Sequence, residues 1–365
     1  MKIITLIAGL LIIATILWDT FETVILPRRV TRRLRLTNFF YAVVWVPCGW
    51  VASLIKTDRR RETFLGLFGP LSLLGLLVIW AIGLIFGFTL LFWVTHAPIN
   101  VTEAERSFLT YLYLSGVTFF TLGFGDVAPT AGVGRFLTVV EAANGFGLLA
   151  VCISYLPVLY QAFSRREASI SLLDARAGSP SSAVELLRRH RAEDTFDDLN
   201  RLLTEWEHWS AGLLESHLSY PVLCYFRSQH DNQSWLRALT TVLDTCALVM
   251  VGVKDAPVWQ ARMTFAMARH ALVDIAQVMR TKPHRDGVPR DLTRNEFLRV
   301  TKTLEENRIF LPNDEKTENR LAELRAMYEP YVYALSDWLL MPVPPWILPP
   351  DSIDNWKTSA WGRIQ

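Results

Sequence analysis

The hydrophobic pattern of the chain begins with three long apolar runs, which predict helices that cross a membrane. They cover residues 3–26, 64–95 and 136–163, and the second contains no charged residue. At 1.5 Å per residue, each run is long enough for the roughly 30 Å hydrocarbon core of a bilayer. The chain is therefore expected to be embedded in a lipid bilayer.

The limits of the first two runs need interpretation. Residues 1–26 share with a secretory signal peptide a basic residue, Lys2, ahead of the apolar run. No small-residue cleavage site comes before Pro27, which favours a retained transmembrane helix. In the second run, the Gly-Pro pair at 69–70 predicts the end of an interfacial lead-in, which leaves residues 71–94 as the span.

Basic residues flank the runs and predict their orientation. By the positive-inside rule, the basic clusters lie in the cytoplasm. The N-terminus is then outside, the loop 96–130 faces outward, and the residues from 164 onward lie in the cytoplasm beneath a plasma (inner) membrane. The clusters comprise Arg28, Arg29, Arg32, Arg33, Arg35, Lys56, Arg59, Arg60, Arg61, Arg165 and Arg166.

Residues 36–55 form a further apolar segment, rich in aromatic residues, between two of these basic clusters. A single crossing would place one basic flank outside. We therefore favour a helix that lies along the inner leaflet over a true span.

The outward loop contains a short helical pattern. Thr102 and Glu105 fit a capping box, and the apolar run 108–120 follows and ends directly at Thr121. This run is too short to cross a bilayer and predicts a re-entrant helix, whose C-terminal dipole would favour a cation in the membrane centre.

A glycine-rich motif follows this helix and suggests an ion-selectivity filter. Glycines at alternate positions permit positive φ, so that successive carbonyls point toward one axis. The intervening apolar side chains would turn outward against surrounding helices, and the acidic residue would pin the strand and attract cations. A Gly-rich turn that matches by accident is the competing explanation. The motif is Thr121, Leu122, Gly123, Phe124, Gly125 and Asp126.

With its flanking helices, this motif resembles the pore-loop potassium channel superfamily over residues 71–163. The resemblance implies an outer helix, a pore helix, a filter and an inner helix, with K⁺ as the permeant ion and no cofactor. Thr118 and Asp126 would support the filter. Because one chain holds one filter and a carbonyl ring needs four strands, a homotetramer is expected.

The inner helix carries four residues that this resemblance marks as functional. Gly145 falls where the family usually has a hinge glycine, and Pro157 would bend the helix where the pore narrows. Glu141 and Asn144 are intramembrane polar groups, which usually face a bundle interior or water. Helix–helix hydrogen bonding for Glu141 and a harmless kink at Pro157 are the alternatives.

Three positions depart from the common pattern of the family. Phe124 replaces the usual tyrosine, Phe120 stands where a second threonine is common, and Val117 offers no acidic partner for Asp126. Strict K⁺ selectivity is therefore a weaker expectation than cation conduction. A non-selective cation channel and a non-conducting membrane sensor or scaffold are the two rival functions.

Composition excludes several other classes. A net charge of +2 with 51% apolar residues does not point to nucleic acid. The four cysteines have no CxxC spacing and predict free thiols. No nucleophile–base pair, phosphate loop or GxGxxG after a strand is present in the sequence, so an enzyme is not expected.

The remainder of the chain predicts an all-helical cytoplasmic domain over residues 164–341 and a Pro-rich tail over residues 342–365. Helices are expected from about residue 183 and over five further segments. These segments are residues 194–218, 235–251, 258–279, 293–306 and 315–341, with a linker at 177–182 before the first helix.

One stretch of this domain is dense in polar and aromatic groups around a helix break at Pro221. It predicts a regulatory pocket, with His270 and Asp274 as further candidates. A buried, hydrogen-bonded connection between helices, or a subunit contact, is the alternative. The histidine spacings follow no metal-ligand pattern, so no metal is expected. The pocket residues are His217, Tyr220, Arg227, His230 and Asp231.

The chain is thus expected to be an all-α membrane channel whose pore module covers residues 64–163. A transmembrane helix (1–26) and a basic segment (27–63) precede this module, and the cytoplasmic domain is expected to modulate its opening.

Overall fold

The computed structural model describes residues 2–26, 35–191, 196–230, 232–284 and 293–348. Within these ranges the regular elements are helices, and extended backbone pairs in the isolated antiparallel bridge between Ile99 and Pro129. The all-α prediction is confirmed. The chain divides into a first unit, residues 1–54 and 67–160, and a second unit, residues 55–66 and 161–365.

In its described part, the membrane half contains five α-helices. Helix α1 runs on into a π-helical turn at Phe21–Ile25, and α1 with this turn, α2, α3 and α5 are each long and apolar enough to cross a membrane. The helices are α1 (Lys2–Thr20), α2 (Leu36–Leu54), α3 (Asp58–Val94), α4 (Phe108–Phe119) and α5 (Gly132–Ala177).

Helix α1 packs closely against α3 because glycines open space between the two backbones. A Cβ atom added at Gly87 would lie 2.6 Å from Ile13, and one added at Gly83 would lie 2.2 Å from Ile16. Gly9 also lies against Gly87. The contacts move toward the start of α3 as α1 advances, so the two helices are antiparallel. Close approach of backbones at small residues is common between membrane helices.

Helix α4 has its own N-cap. Ser107 Oγ accepts a hydrogen bond from the Thr110 amide at 3.2 Å. The capping box of Thr102 and Glu105 is present, but it begins a 3₁₀ turn, Glu103–Glu105, and not the helix. The apolar run thus carries a second start signal, which the sequence interpretation missed.

Three helix boundaries differ from the sequence predictions. Helix α3 continues through Pro70, which removes one backbone donor, and nearby the Ser72 hydroxyl donates to the Gly69 carbonyl at 2.9 Å. The predicted helix 315–341 is two helices, because Pro330 occupies the first turn of the second and cannot continue the first. Helix α5 extends 14 residues past Phe163, which was the predicted end of its apolar run.

The second unit contains seven further α-helices in its described part, arranged around α8. Residues 235–249 of α8 are buried without a break. Ser234 caps its start, and Gly252, at φ 137°, ends it. The helices are α6 (Ala183–Arg189), α7 (Asp197–Ser219), α8 (Trp235–Val251), α9 (Val258–Val278), α10 (Arg294–Glu306), α11 (Glu315–Ala326) and α12 (Glu329–Leu339).

Candidate functional site

The backbone of the glycine-rich motif alternates in handedness. Thr121, Gly123 and Gly125 have φ of 55°, 61° and 78°. Positive φ at the two glycines agrees with the filter interpretation, whereas positive φ at a β-branched threonine is uncommon and was not anticipated. The Leu122 amide donates to the Val117 carbonyl at 2.9 Å, so the strand turns directly off the end of α4.

The side chains of the motif lie on the surface of the single chain. Leu122 and Phe124 are exposed, whereas Thr118 is buried and its carbonyl accepts the Thr121 amide at 3.0 Å. The predicted packing of Leu122 and Phe124 against surrounding helices therefore needs atoms from further copies of the chain, and it stays a prediction.

Asp126 has a hydrogen-bond partner that the sequence interpretation missed. The Tyr113 hydroxyl donates to Asp126 Oδ2 at 2.7 Å. This hydrogen bond holds the pKa of Asp126 below its usual range. Tyr113 lies one helical turn before Val117, the position considered for an acidic partner, so a search along the same face of α4 would have found it.

Asn100 connects the loop before α4 to the end of the glycine-rich motif and the residues that follow it. Its Nδ2 donates to the Gly125 carbonyl at 3.3 Å, and its Oδ1 accepts the Ala128 amide at 2.7 Å. The Thr130 amide donates to the Pro98 carbonyl at 2.8 Å. These contacts fix the C-terminal end of the motif, and no local sequence signal marks Asn100 for this role.

Glu141 is fully buried at the meeting point of three helices. Its carboxylate accepts a hydrogen bond from the Ser115 hydroxyl of α4, and Ser115 Oγ lies 2.8 Å from the Ile85 carbonyl of α3. Helix–helix hydrogen bonding, the alternative considered for Glu141, is thus present. Asn144 Nδ2 donates to the Val140 carbonyl of its own helix at 2.8 Å.

Gly145 provides space for the end of α4. A Cβ atom at Gly145 would lie 2.0 Å from the Phe119 carbonyl oxygen, closer than any real contact. Glycine is therefore required here for packing, whether or not the helix bends at this position. Pro157 lies within the continuous helix α5, and the hinge and kink roles of both residues stay predictions.

In the second unit, His217 belongs to a buried connection that is centred on Arg166. Arg166 donates to the carbonyls of Leu223 at 2.9 Å and Phe226 at 2.8 Å, and it pairs with Glu167 at 2.9 Å. Its Nη1 lies 3.2 Å from His217 Nε2.

The other predicted pocket residues do not converge on His217. Arg227 pairs with Glu62 at 3.5 Å and donates to the carbonyls of Leu339 and Leu340. His230 is exposed, Tyr220 is the residue at which α7 ends, and Asp231 lies outside the described residues. On α9, His270 and Asp274 approach to 3.9 Å. A regulatory role for these residues remains a prediction.

Comparison with known proteins supports the interpretation of the pore. Residues 75–161 match the family described as "Ion channel". The chain is 24% identical over 222 residues to the uncharacterized membrane protein YdjJ of Bacillus subtilis strain 168, covering 60% of this chain and 62% of YdjJ. It thus matches less than two thirds of that relative.

Two shorter relatives align with smaller parts of the chain. Protein LctB of Bacillus caldotenax is 33% identical over 94 residues, which are 23% of this chain and 69% of LctB. Protein LctB of Geobacillus stearothermophilus is 30% identical over 115 residues, which are 29% of this chain and 78% of LctB. No solved structure matches the chain. Together with the geometry of α3, α4, the glycine-rich motif and α5, these matches show that the chain belongs to the pore-loop ion channel superfamily.

Proposed function

We propose that four copies of this chain form a potassium-selective channel whose opening is modulated by the second unit. The observation that carries this proposal is the alternating positive φ of Thr121, Gly123 and Gly125 directly after a capped α4. A backbone of this kind presents carbonyl oxygens in place of the hydration shell of the ion. Each chain supplies one strand, and four strands complete a ring.

The surface of α5 supports self-association into a homotetramer. Its exposed apolar residues recur at helical spacing near the motif. They form an unpaired face of the kind that packs against other helices or lipid. These residues are Val133, Phe136, Val139, Phe146, Leu149 and Ile153.

Modulation by the second unit is supported by its attachment to both pore-flanking helices. Glu62, at the start of α3, pairs with Arg227, and Arg166, in the extension of α5, is held by the carbonyls of Leu223 and Phe226. A rearrangement of the second unit would therefore pull on the cytoplasmic ends of α3 and α5. We place this unit in the cytoplasm beneath the plasma membrane on the basis of the basic clusters.

Flux through liposomes that contain the purified chain tests conduction and selectivity. We expect a reversal potential that follows the K⁺ gradient and a particle of four 41.6 kDa chains. Gly123→Ala would place a side chain at φ 61° and should abolish flux, whereas Gly147→Ala, where a Cβ meets nothing within 4 Å, should leave it intact.

Two other outcomes would support the rival functions. A reversal potential that ignores exchange of K⁺ for Na⁺ would indicate a non-selective cation channel. Absence of flux from a folded tetramer would instead support a membrane sensor or scaffold.

A further inference from the structure

A pocket of about 340 Å³ lies in the second unit where α5 ends, α6 ends and α7 begins. Its size is that of a small-molecule site, far larger than a single water needs. Among the residues that the structure describes, none that the sequence predicted to be functional lines it. Its charged lining consists of Arg176 on α5, Arg189 on α6, and Arg201 and Asp198 on α7.

The lining is basic, because three arginines face one carboxylate. Arg176 lies 3.4 Å from Glu205, and Arg201 lies 3.4 Å from Asp198. Both pairs are on the surface, where ion pairs are screened by solvent and contribute little. The two guanidinium groups can therefore exchange these carboxylates for a ligand of higher charge density.

Arg189 is held in a fixed orientation. Its Nη1 donates to the Ala175 carbonyl at 2.6 Å, and its Nε donates to Glu185 Oε1 at 2.5 Å. A guanidinium fixed from two sides loses little conformational freedom when a ligand binds. The exchangeable forks of Arg176 and Arg201 can in turn match phosphate oxygens in a bidentate manner, which favours phosphate over a simple halide.

His190 completes the wall of the pocket. Its Nδ1 lies 2.8 Å from the Leu186 carbonyl and donates to it. Burial is the largest cause and lowers the pKa of His190. The hydrogen bond to the Leu186 carbonyl and the charge of Asp198 act in the opposite direction, whereas the positive charges of Arg176 and Arg189 lower the pKa further. At neutral pH the positive charge of the pocket is therefore supplied by the arginines alone.

We propose that this pocket binds a soluble, multiply charged phosphate compound, such as pyrophosphate or the triphosphate group of a nucleotide. The volume accommodates more than one phosphate, and three guanidinium groups from three helices suit a ligand with several phosphate oxygens. Arg176 lies 13 residues beyond Phe163, about 20 Å along a helix, so a free phosphate compound reaches the pocket more readily than a lipid headgroup does.

Binding would join the last turn of α5 to the end of α6 and the start of α7. Since α5 also follows the filter, the ligand would act on channel opening. This consequence rests on the proposed function, whereas binding itself does not.

Calorimetric titration of the full chain in neutral detergent with pyrophosphate tests the site. We expect saturable binding of one pyrophosphate per chain. The double variant Arg176→Gln/Arg201→Gln should weaken binding at least tenfold. The matched control Arg262→Gln/Arg269→Gln removes the same charge from the exposed face of α9 and should bind like the wild type.

Absence of saturable binding, or equal weakening by both double variants, would overturn the proposal. A thermal unfolding scan establishes that each variant is folded. If the first double variant does not fold, the single change Arg201→Gln, at an exposed residue, should still weaken binding about threefold or more, and unchanged binding would contradict the site.

Two further measurements separate the ligand sources and the functions. Binding of the chain to vesicles containing a phosphorylated inositol lipid, lost in Arg176→Gln/Arg201→Gln and without pyrophosphate binding, would show a lipid site and overturn the soluble ligand. Pyrophosphate binding to a chain that conducts no ions would uphold the pocket while the proposed channel function fails.

Discussion

At the scale of single residues, the hydrogen bond between Tyr113 and Asp126 sets how the acidic end of the glycine-rich motif responds to acid. The phenol stabilises the charged carboxylate and lowers the pKa of Asp126. Since this pKa is lowered, the favourable contact is complete at neutral pH and is lost as the pH falls through the pKa of Asp126.

We expect Tyr113→Phe to raise the pKa of Asp126 toward its ordinary value. Inhibition of flux by external acid should then begin at a higher pH than in the wild type. Flux through liposomes at a series of external pH values measures this shift. Tyr331→Phe, in the second unit, is the control and should leave the profile unchanged, and a profile equally unchanged in Tyr113→Phe would show that Asp126 does not set the acid response.

Gly145 provides a second test at this scale. Gly145→Ala places a Cβ 2.0 Å from the Phe119 carbonyl and must displace α4 or α5. We expect a loss of about 1–3 kcal/mol in the free energy of unfolding, together with loss of flux.

The control for this variant is Gly147→Ala, two residues along the same helix, where the Cβ meets nothing within 4 Å. Alanine is the better helix former, so this change should be neutral or slightly stabilising. Thermal unfolding in detergent compares the two variants, and equal midpoints would refute a packing role for Gly145.

These residues show what could be predicted from the sequence. Gly123 and Gly125 could be identified because a backbone at positive φ strongly favours glycine. Asn100 was missed because its partner Gly125 lies 25 residues away and nothing local requires an amide there. Tyr113, whose partner Asp126 lies 13 residues away, was missed because only Val117 was considered as a partner position and not the residue one helical turn earlier. The left-handed backbone of Thr121 was missed for the opposite reason, since its side chain argues against it.

At the scale of elements, most helices followed from apolar periodicity, whereas several of their ends did not. Pro330 carried the signal for the break between α11 and α12, and the prediction of one helix overlooked it. Pro70 carried the same signal inside α3, yet the helix continues. Whether a helix ends at a proline depends on the carbonyl that the proline leaves without a donor and on the space for the displaced turn. Both are set by the tertiary structure.

The attachment of α1 depends on a buried acidic residue that the sequence treated only as an interruption of an apolar run. Asp19 accepts hydrogen bonds from the Thr37 hydroxyl at 2.6 Å and from the Trp80 indole N–H at 3.0 Å. It thus joins α1 to α2 and α3 within the first unit. Intramembrane carboxylates persist where they have such partners.

We expect Asp19→Asn to lower the free energy of unfolding by about 1–3 kcal/mol. One carboxylate oxygen, which accepts a hydrogen bond, would be replaced by an amide N–H₂ group, which cannot accept one. Thermal unfolding in detergent measures the loss. Asp58→Asn, at the exposed start of α3, is the matched control and should cost much less. Equal effects would show that the charge of Asp19, and not its hydrogen bonds, matters.

At the scale of the whole molecule, the membrane half and the helical second half were both predicted, whereas the pocket where α5, α6 and α7 meet was not. The stretch around Pro221 drew attention because polar and aromatic residues cluster along the sequence there. In the structure, the contacts of His217 and Arg227 lead to different partners. The pocket proposed above to bind phosphate collects arginines from α5, α6 and α7, which only the fold brings together.

The buried histidines of the second unit make the stability of the chain depend on pH. Burial, followed by the charge of Arg166, lowers the pKa of His217 well below its ordinary value of 6.5, while the Leu213 carbonyl acts in the opposite direction. Its Nδ1 donates to Leu213 at 2.9 Å, which leaves Nε2 to accept from Arg166. A proton on Nε2 would oppose the guanidinium, and Glu167 pairs with Arg166 on the other side.

Because the folded pKa of His217 is depressed, the unfolded chain takes up its proton first as the pH falls below about 6.5. Stability contributed by neutral His217 is thus present at pH 7 and decreases below pH 6.5, by up to about 1.4 kcal/mol per pH unit for each such histidine.

His217→Gln removes the titration while keeping a side-chain oxygen for Arg166. The difference in Tm between pH 7.5 and 5.5 should therefore shrink in this variant, with His190 accounting for part of what remains. His270→Gln on the exposed face of α9 should keep the full difference, and an unchanged difference in His217→Gln would show that the Arg166 connection does not sense protons.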